Sequence, residues 1–505
     1  MIKTFYPALL VIAPLLAALL CSGFSWIQKK FCYPIVLVGL AISLFSAFKL
    51  LMIVLTSGTI QYRMAGWAPP FGIEYRIDLL NAVVLLIVSA IALINLVASH
   101  KSVLQDMKEK LGAFYSVYVL FVTGLLGVVA TGDLFNLYVL LEITSLTSYA
   151  LIAMGDPDRS PIASLNYLFI GVIGASFYLL GVGYLYIMTG SLNMINVADI
   201  LQNLHGSSAV LIGFIFCMLG LWIKMALFPL HIWLPNAYSY TSISVGRLIA
   251  PLMTKIMVYV MIRLMLNVFG FNYIFETLEL SKVVVWIASI AIIAGGVMAL
   301  AQKNVKKIFA YIIVSEIGYM VGGAWLGNQT GMTGSILHII NDAVMTFALF
   351  LVVGNITFCL KNAHLNNFKG LFSKMPWTMA GLVLAGFSII GVPPTCGFFS
   401  KWYLILGGIE AGAYHFVGAL IISSLICAIL FFKIFEISFF ESSIQNKQQN
   451  EHKNHDKIAG ITEAPVSMLI SLGLTSATLI ILGVYSDSIV KNIITPFLTQ
   501  YKMVI

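Results

Sequence analysis

Long apolar windows recur along the chain and are separated by short polar loops. A helix needs about 20 consecutive apolar residues to cross a bilayer. Windows of this kind fall near 5–27, 33–56, 78–99, 114–130, 132–154, 164–188, 208–230, 243–268, 282–301, 307–327, 332–360, 378–405, 413–436 and 466–485. The pattern predicts an all-α polytopic membrane protein with about 14 transmembrane helices. The first window is too long for the apolar core of a secretory signal, so we expect a retained helix.

The composition favours the same fold class. Of the 505 residues, 60% are hydrophobic and 10% are charged, whereas soluble domains carry about 25% charged residues. The net charge of +8 does not cluster into one face, so no nucleic-acid partner is expected. The six cysteines lack CxxC spacing and are interpreted as apolar filler, with no metal site and no disulfide framework. Nucleotide-binding and iron–sulfur motifs are missing from the sequence, which predicts no cofactor.

The basic residues are divided unequally between the two sets of alternate loops. One set holds fifteen lysines and arginines, and the opposite set, together with both tails, holds seven. Because cytoplasmic loops are enriched in basic residues, the first set is predicted to be cytoplasmic and both termini to face outward. We expect 440–465 to be a cytoplasmic loop of disordered composition, and 189–207 to contain a short interfacial segment.

Two windows carry a lysine close to a helix breaker. Lys224 precedes Pro229, and Lys401 follows Pro393 and Pro394. A charge at the bilayer centre costs about 2.5–3.5 kcal/mol on insertion scales, so such lysines are candidates for function. Paired broken windows in two halves of a chain are typical of inverted-repeat transporters. We therefore expect two inverted repeats, with discontinuous helices near 208–234 and 378–405.

Two further ionisable residues lie deep in apolar windows. Glu142 is either a structural carboxylate bonded to neighbouring hydroxyls or part of an ion or proton path, and intramembrane carboxylates more often mark a path. Lys224 is its expected partner, as a counter-ion, a proton carrier or both. Lys255 is a second buried base, too deep in its window to reach an interface. Lys401 is closer to an interface, but unsatisfied backbone beside it predicts a water-filled cavity.

A polar stripe runs along one later window. His338, Asp342 and Thr346 are spaced four apart and therefore share one face of a helix. Such a stripe serves either helix–helix contacts or a hydrated path, and the sequence favours neither. Glu316 is a weaker candidate of the same kind, and Arg247, near a window end, is assigned to packing or snorkelling.

Several longer stretches carry a resemblance to a known family. They are GWAPPFGIEYRID, TGDLFNLYVLLEITSLTSYAL, TGSLNMINVADIL, IKMALFPLHIWLPNAY, LMTKIMVYVMIR, AYIIVSEIGYM and GVPPTCGFFSKW. Over nearly the whole chain the sequence resembles the antiporter-like subunits shared by Mrp-type multisubunit Na+/H+ antiporters and respiratory complex I, and it looks most like the Mrp D protein. The resemblance implies that Glu142 and Lys224 form a proton-handling pair and that Lys255 and Lys401 continue a polar axis.

The stripe departs from the pattern that the resemblance implies. His338 is kept, Asp342 stands where a second histidine is common, and Thr346 stands where a lysine belongs. Asn236 replaces an aspartate, and Arg247 replaces a small residue. These departures bear on the middle of the axis and leave the Glu142–Lys224 pair intact.

The resemblance also implies a division of the chain. The parts are 1–110 with N-terminal transmembrane helices, 111–270 and 280–436 with one antiporter-type repeat each, 437–465 with a polar cytoplasmic loop, and 466–505 with a C-terminal helix and tail. We expect a proton-translocating subunit of a monovalent cation/proton antiporter, with Na+ favoured, in the inner membrane of a bacterium. The protein is not expected to be an enzyme.

Its expected partners are protons, a monovalent cation, lipid and other membrane subunits. The alternatives are a proton-pumping subunit of complex I or membrane-hydrogenase type, which would be part of an NADH dehydrogenase, and a non-conducting scaffold. The sequence leaves open the cation, the direction of transport, the partner subunits and conduction past Asp342 and Thr346.

Overall fold

The computed structural model describes residues 5–439 and 462–501, and it shows an all-α protein with one small β-hairpin. The elements of the first half are α1 (Tyr6–Ile27), α2 (Cys32–Ser57), β1 (Ile60–Arg63), β2 (Glu74–Ile77), α3 (Leu79–Asp106), α4 (Leu111–Ala130), α5 (Leu134–Ala153), α6 (Ser160–Thr189), α7 (Met194–Leu201), α8 (Ser208–Met225), α9 (Trp233–Tyr240) and α10 (Ile243–Arg263). Those of the second half are α11 (Ser281–Leu300), α12 (Val305–Trp325), α13 (Gln329–Leu360), α14 (Leu371–Lys374), α15 (Pro376–Ile390), α16 (Cys396–Glu410), α17 (Tyr414–Phe439), α18 (Val466–Val484), α19 (Ser486–Ile489) and α20 (Thr495–Thr499). Short 3-10 and π-helical turns occupy Lys29–Phe31, Met64–Gly66, Leu264–Phe269, Tyr273–Thr277, Leu365–Phe368 and Val490–Ile494.

The long helices coincide with the predicted windows. Within 5–439 and 462–501, thirteen helices are long and apolar enough to cross a membrane, and the predicted all-α polytopic fold is confirmed. The remaining window, 378–405, is occupied by α15 and α16, which are 15 residues long each. The predicted interfacial segment contains the eight-residue helix α7. Most of the predicted polar loop at 437–465 lies outside the described residues.

Helical geometry stops at both predicted proline sites. The chain turns between the end of α8 and the start of α9, where Ala226 has a left-handed φ of 63°. It turns again between α15 and α16, where Gly391 has a φ of 92°. Pro229 lies in the first interruption, and Pro393 and Pro394 lie in the second. Whether the helices on either side act as single membrane crossings stays a prediction, as do the inverted repeats and the five-part division.

Extended segments are hydrogen-bonded together at one face of the bundle. β1 pairs antiparallel with β2, the Gly132 amide donates to the Glu74 carbonyl at 2.8 Å, and the Met194 amide donates to the Gly132 carbonyl at 2.9 Å. We call this region, residues 60–77, 131–133 and 191–194, the hairpin face. It joins the linkers before α5 and after α6.

A matching backbone bridge, Asn304 with His364, joins the linkers before α12 and after α13. The helices α12 and α13 follow α5 and α6 by five predicted windows each. This equal spacing is what two inverted repeats would produce and supports that prediction.

The polar candidates lie on the most buried helices. Every residue of α10 after Ile243 is buried, and α12 is buried over 94% of its apolar window. By contrast, α1 and α6 are buried over only 39% of theirs and expose leucine and isoleucine side chains. Charged groups on α10, α12 and α13 are therefore surrounded by protein, where each must find a partner.

Candidate functional site

Glu142 and Lys224 form an ion pair between α5 and α8. The Lys224 ammonium lies 3.1 Å from Glu142 Oε1 and donates to the Ser145 hydroxyl at 2.6 Å. Lys224 is 1% exposed and Glu142 is 22% exposed. The alternative in which Glu142 bonds to neighbouring hydroxyls does not describe this arrangement, since Thr144 donates to the Leu140 carbonyl and Thr147 to the Ile143 carbonyl.

The sequence around Lys224 explains its position at a helix end. Lys224 lies in the last turn of α8, so its ammonium is beside the interruption that contains Pro229. Trp233 donates its indole N–H to the Ile223 carbonyl at 3.1 Å, which satisfies one acceptor freed by the end of the helix. Gly174 and Gly220 let α6 and α8 touch, because a Cβ on Gly220 would lie 2.6 Å from the Gly174 carbonyl oxygen.

Lys255 on α10 forms a second pair with Asp342 on α13. Its ammonium lies 3.1 Å from Asp342 Oδ2, outside hydrogen-bond geometry, and donates to the Thr346 hydroxyl at 3.1 Å. Thr346 in turn donates to Asp342 Oδ1 at 2.8 Å. The Lys255 and Asp342 side chains are 2% and 0% exposed. A hydroxyl thus stands between acid and base at the position where the resemblance implies a lysine.

His338 and Glu316 form a third pair, between α13 and α12. His338 Nε2 contacts Glu316 Oε2, and His338 Nδ1 lies 2.8 Å from the Ser400 hydroxyl. Both members are buried, and Glu316 Oε1 has no hydrogen-bond partner in the described part of the chain. Glu316, which the sequence marks only as a weaker candidate, is therefore in direct contact with His338, a principal candidate.

Lys401 lies at the second helix interruption, and no carboxylate among the described residues pairs with it. Its ammonium donates to the Ile389 carbonyl at 2.6 Å and to the Ser424 hydroxyl at 3.1 Å, and lies 5.0 Å from the centre of the Tyr319 ring. Lys401 is 5% exposed, so it is buried and does not snorkel to an interface. The break in the helix supplies the carbonyl oxygen that holds the charge.

These contacts form separate clusters and not one continuous series. Asp342 and His338 are one turn apart on α13, and His338 reaches Ser400, which precedes Lys401. Among the described residues, no hydrogen bond or ion pair joins Lys224 to Lys255. Lys255, His338 and Lys401 thus lie on the adjoining helices α10, α13 and α16, with no hydrogen bond among the described residues from one to the next. Glu142 and Lys224 form a separate pair.

A family model described as "NADH:quinone oxidoreductase/Mrp antiporter, TM" matches residues 131–427, which is more than half of the chain and includes all of these pairs. The chain belongs to this family. An NADH-quinone oxidoreductase subunit N from Desulforudis audaxviator (strain MP104C) is 40% identical over 491 residues, covering 97% of each chain. The D-type component of a Na(+)/H(+) antiporter from Bacillus subtilis (strain 168) is 28% identical over 424 residues, covering 84% of each.

Solved structures agree with this family assignment. A chain of the membrane-bound sulfane sulfur reductase, an archaeal respiratory membrane complex, has a TM-score of 0.85 at 27% identity, covering 97% of this chain and 96% of that one. A chain of the Mrp complex from Dietzia sp. DQ12-45-1b has a TM-score of 0.87 at 22% identity, covering 99% and 98%, and supports the fold alone. The protein is thus a membrane antiporter-like subunit of Mrp or complex I type, with other membrane subunits as partners. The complex I alternative is at least as well supported as the Mrp D interpretation.

Sequence reasoning missed the ion pair of one buried arginine and left the role of a second open between packing and snorkelling. Arg263 makes a two-pronged ion pair with Asp78, at 2.5 and 2.7 Å, which ties α10 to the start of α3. Arg247 is fully buried and donates to the Leu351 carbonyl at 3.1 Å and to Asn355 Oδ1 at 2.7 Å. Packing, and not snorkelling, is therefore the correct interpretation of Arg247. Gly354 is the available sequence signal, because only a residue without a side chain leaves room for the guanidinium.

Metal binding finds no support in the described residues, where no group of three or more His, Cys, Asp or Glu side chains is placed to hold an ion. All six cysteines are free thiols, and five of them are buried. Instead, Glu142, Asp342 and Glu316 each pair with one base, an arrangement suited to exchanging a proton.

Proposed function

We propose that this protein translocates protons through its buried acid–base pairs. The observation that carries the proposal is the placement of three such pairs, Glu142–Lys224, Lys255–Asp342 and Glu316–His338, inside an apolar bundle. Transfer of one proton from base to acid neutralises both groups without moving a heavy atom far. Inside the bundle the weak dielectric screening makes that transfer sensitive to every neighbouring charge.

The order of the pairs defines the proposed path. Protons pass from the Lys224 and Lys255 region through Asp342 and His338 to Lys401, as the resemblance implies. The Thr346 hydroxyl, which bonds to both Lys255 and Asp342, is the relay at the position of the family's lysine. Passage from Lys224 to Lys255, and from Asp342 through His338 to Lys401, requires water or side-chain motion, because no hydrogen bond or ion pair among the described residues spans these steps.

A respiratory complex of quinone-oxidoreductase type is the favoured assembly. The 40% identity with the quinone-oxidoreductase relative extends over 97% of each chain. In such an assembly the redox chemistry would lie in partner subunits, and charge changes at their interface would drive the Glu142–Lys224 pair. A cation/proton antiporter of Mrp type is the second candidate, favoured by the D-type relative.

The surface around Glu142 supports a covering partner at this point. Val139, Ile143 and Leu146 on the same helix are 38%, 37% and 57% exposed. A partly exposed carboxylate within an apolar membrane-facing surface is costly unless protein or water covers it. We infer that a neighbouring membrane protein of the complex packs here. By the basic-residue asymmetry, the hairpin face is outward in a bacterial plasma membrane.

Glu142→Gln in the purified complex tests the proposal. Proton movement, followed by dye quenching in proteoliposomes, should be abolished at unchanged abundance of the protein, whereas the matched variant Glu276→Gln, at an exposed position, should behave as wild type. Normal proton movement in Glu142→Gln would contradict the proposal and favour the alternative of a non-conducting scaffold. A mass-spectrometric inventory of co-purified proteins decides between the assemblies: redox proteins support the first candidate, and their absence supports the second.

A further inference from the structure

A small cavity with both polar and apolar walls lies under the hairpin face, apart from the acid–base pairs. Its volume is about 30 Å³, which is room for roughly two water molecules. It opens among the linkers of the hairpin face and extends inward to α10. Its polar walls include Glu74, Arg76, Thr131, Asn193, Tyr259 and Arg263.

Glu74 is the buried carboxylate of this cavity that lacks a hydrogen-bond partner among the described residues. It is 5% exposed, and its Oε1 has no hydrogen-bond partner in the part of the chain that the structure describes. The backbone holds it in place, because its carbonyl accepts the Gly132 amide at 2.8 Å. A buried carboxylate oxygen without a donor costs free energy, so a proton or a water molecule is needed there.

Two arginines lie near Glu74: Arg63 is opposite it in the hairpin, and Arg76 is two residues further along β2. Arg263 is neutralised by its two-pronged contact with Asp78. Arg76 shares the cavity-facing side of β2 with Glu74, and its Nε lacks a partner among the described residues. Burial raises the pKa of the Glu74 carboxyl, and the cations of Arg76 and Arg63 offset part of this rise. The other titratable or charged groups around the cavity are Asp78, Asp133, Tyr259, Arg263 and Tyr501.

One wall of the cavity lies on α10, the helix that carries Lys255. Tyr259 lines the cavity and follows Lys255 by four residues on α10, a rise of about 6 Å along the helix. Its hydroxyl accepts from Arg263 Nε at 2.8 Å and donates to the Val129 carbonyl at 3.0 Å. One helical turn therefore separates the backbone of Tyr259, on the cavity wall, from the backbone of Lys255.

We propose that Glu74 is the proton-binding carboxylate of an access cavity at the hairpin face, exchanging protons between bulk water and the Lys255–Asp342 pair. A metal cation is a poorer occupant, because Arg76 and Arg263 line the same small space. The inference rests on the proposed proton translocation and adds a route that the sequence resemblance did not assign.

The test uses the intact complex carrying Glu74→Gln, Glu74→Asp or the exposed control Glu276→Gln. Transport is measured in proteoliposomes while the pH is varied only on the side of the hairpin face. Glu74→Gln should lower the rate by about tenfold or more and flatten this pH profile, since a positioned proton acceptor contributes about 10²–10⁴ in rate. Glu74→Asp should keep a titrating profile, and the control should match wild type.

A second measurement does not depend on transport. Infrared difference spectra over a pH titration should show a protonated-carboxyl band in wild type that is missing from Glu74→Gln and present in Glu276→Gln. If Glu74→Gln keeps the wild-type rate and pH profile while Glu142→Gln does not transport protons, the access route is overturned and the proposed function is not. Active Glu142→Gln overturns the proposed function, and an unchanged carboxyl band in Glu74→Gln shows that Glu74 does not bind the proton.

Discussion

Lys255 on α10 and Asp342 on α13 are joined both directly, at 3.1 Å, and through the hydroxyl of Thr346. The two helices belong to the two predicted repeats, so one buried ion pair bridges the halves of the bundle. Thr346, which departs from the family pattern, is compatible with this pair because its hydroxyl accepts from Lys255 and donates to Asp342.

Thr346→Lys should impair transport and shift its pH profile. The new ammonium would lie beside Lys255 and share Asp342 with it, so the pair would carry one positive charge too many. Thr346→Val has a similar shape without the hydroxyl and should slow transport without adding charge. Rates across a pH series in the reconstituted complex distinguish the two. If both variants match wild type and Asp342→Asn also conducts, the path does not use this helix.

Lys224→Arg should lose transport although it keeps the positive charge. An arginine does not release its proton in proteins, so the ion pair with Glu142 is retained and the proton exchange is blocked. We expect turnover to fall by a factor on the order of 10², the lower range for positioned acid–base groups. Abundance of the complex in native gels is the control for assembly. Normal turnover in this variant would reduce Lys224 to a structural counter-ion.

Glu316→Gln should separate proton transfer from packing at His338. Glutamine has the shape of glutamate and still hydrogen-bonds to the imidazole, but it neither carries charge nor accepts a proton. The complex should assemble normally and transport slowly, and Ser315→Ala, which alters a hydroxyl on the same helix that bonds to Ser423, is the matched control. Equal transport rates in Glu316→Gln and wild type would contradict a relay through His338.

Gly354→Ala should destabilise the contact between α10 and α13. The added Cβ would lie 2.3 Å from Arg247 Nε, and the buried guanidinium cannot move without losing the Leu351 carbonyl and Asn355. Overpacking of this kind costs about 1–3 kcal/mol. Gly183→Ala on α6, where nothing lies within 4 Å of the new methyl, is the control. Apparent Tm values of the detergent-purified complex, at one scan rate, should fall only for Gly354→Ala.

Glu74→Gln should change the pH dependence of stability. Burial raises the pKa of Glu74 in the folded chain, so its stabilising contribution is present below about 4.3, the pKa of an exposed glutamate. That contribution is lost as the pH rises through the higher folded value. The Tm of Glu74→Gln relative to wild type should therefore increase from acidic to neutral pH. A constant difference over this range would show that burial does not perturb Glu74.

The membrane helices were predictable because length and apolar composition are local properties of the sequence. The face shared by His338, Asp342 and Thr346 was predictable for a similar reason, since it depends only on helical spacing. The partners of His338 and Asp342 were not predictable, because Glu316 and Lys255 lie on other helices and their approach depends on tertiary packing. The hairpin was missed, since the strands at 60–77 are four residues long and lie among glycines and prolines.

Arg247 opposes relative motion of the two halves of the bundle. Its guanidinium, buried in the first half of the chain, binds backbone oxygen of α13 in the second half. Rocking of one half against the other, the usual motion of inverted-repeat carriers, would break the hydrogen bonds of this buried guanidinium, at a cost of about 1–3 kcal/mol for each donor left unsatisfied. Alternating access by rigid-body motion is thereby disfavoured, and the protein is suited to moving charge through a stationary frame.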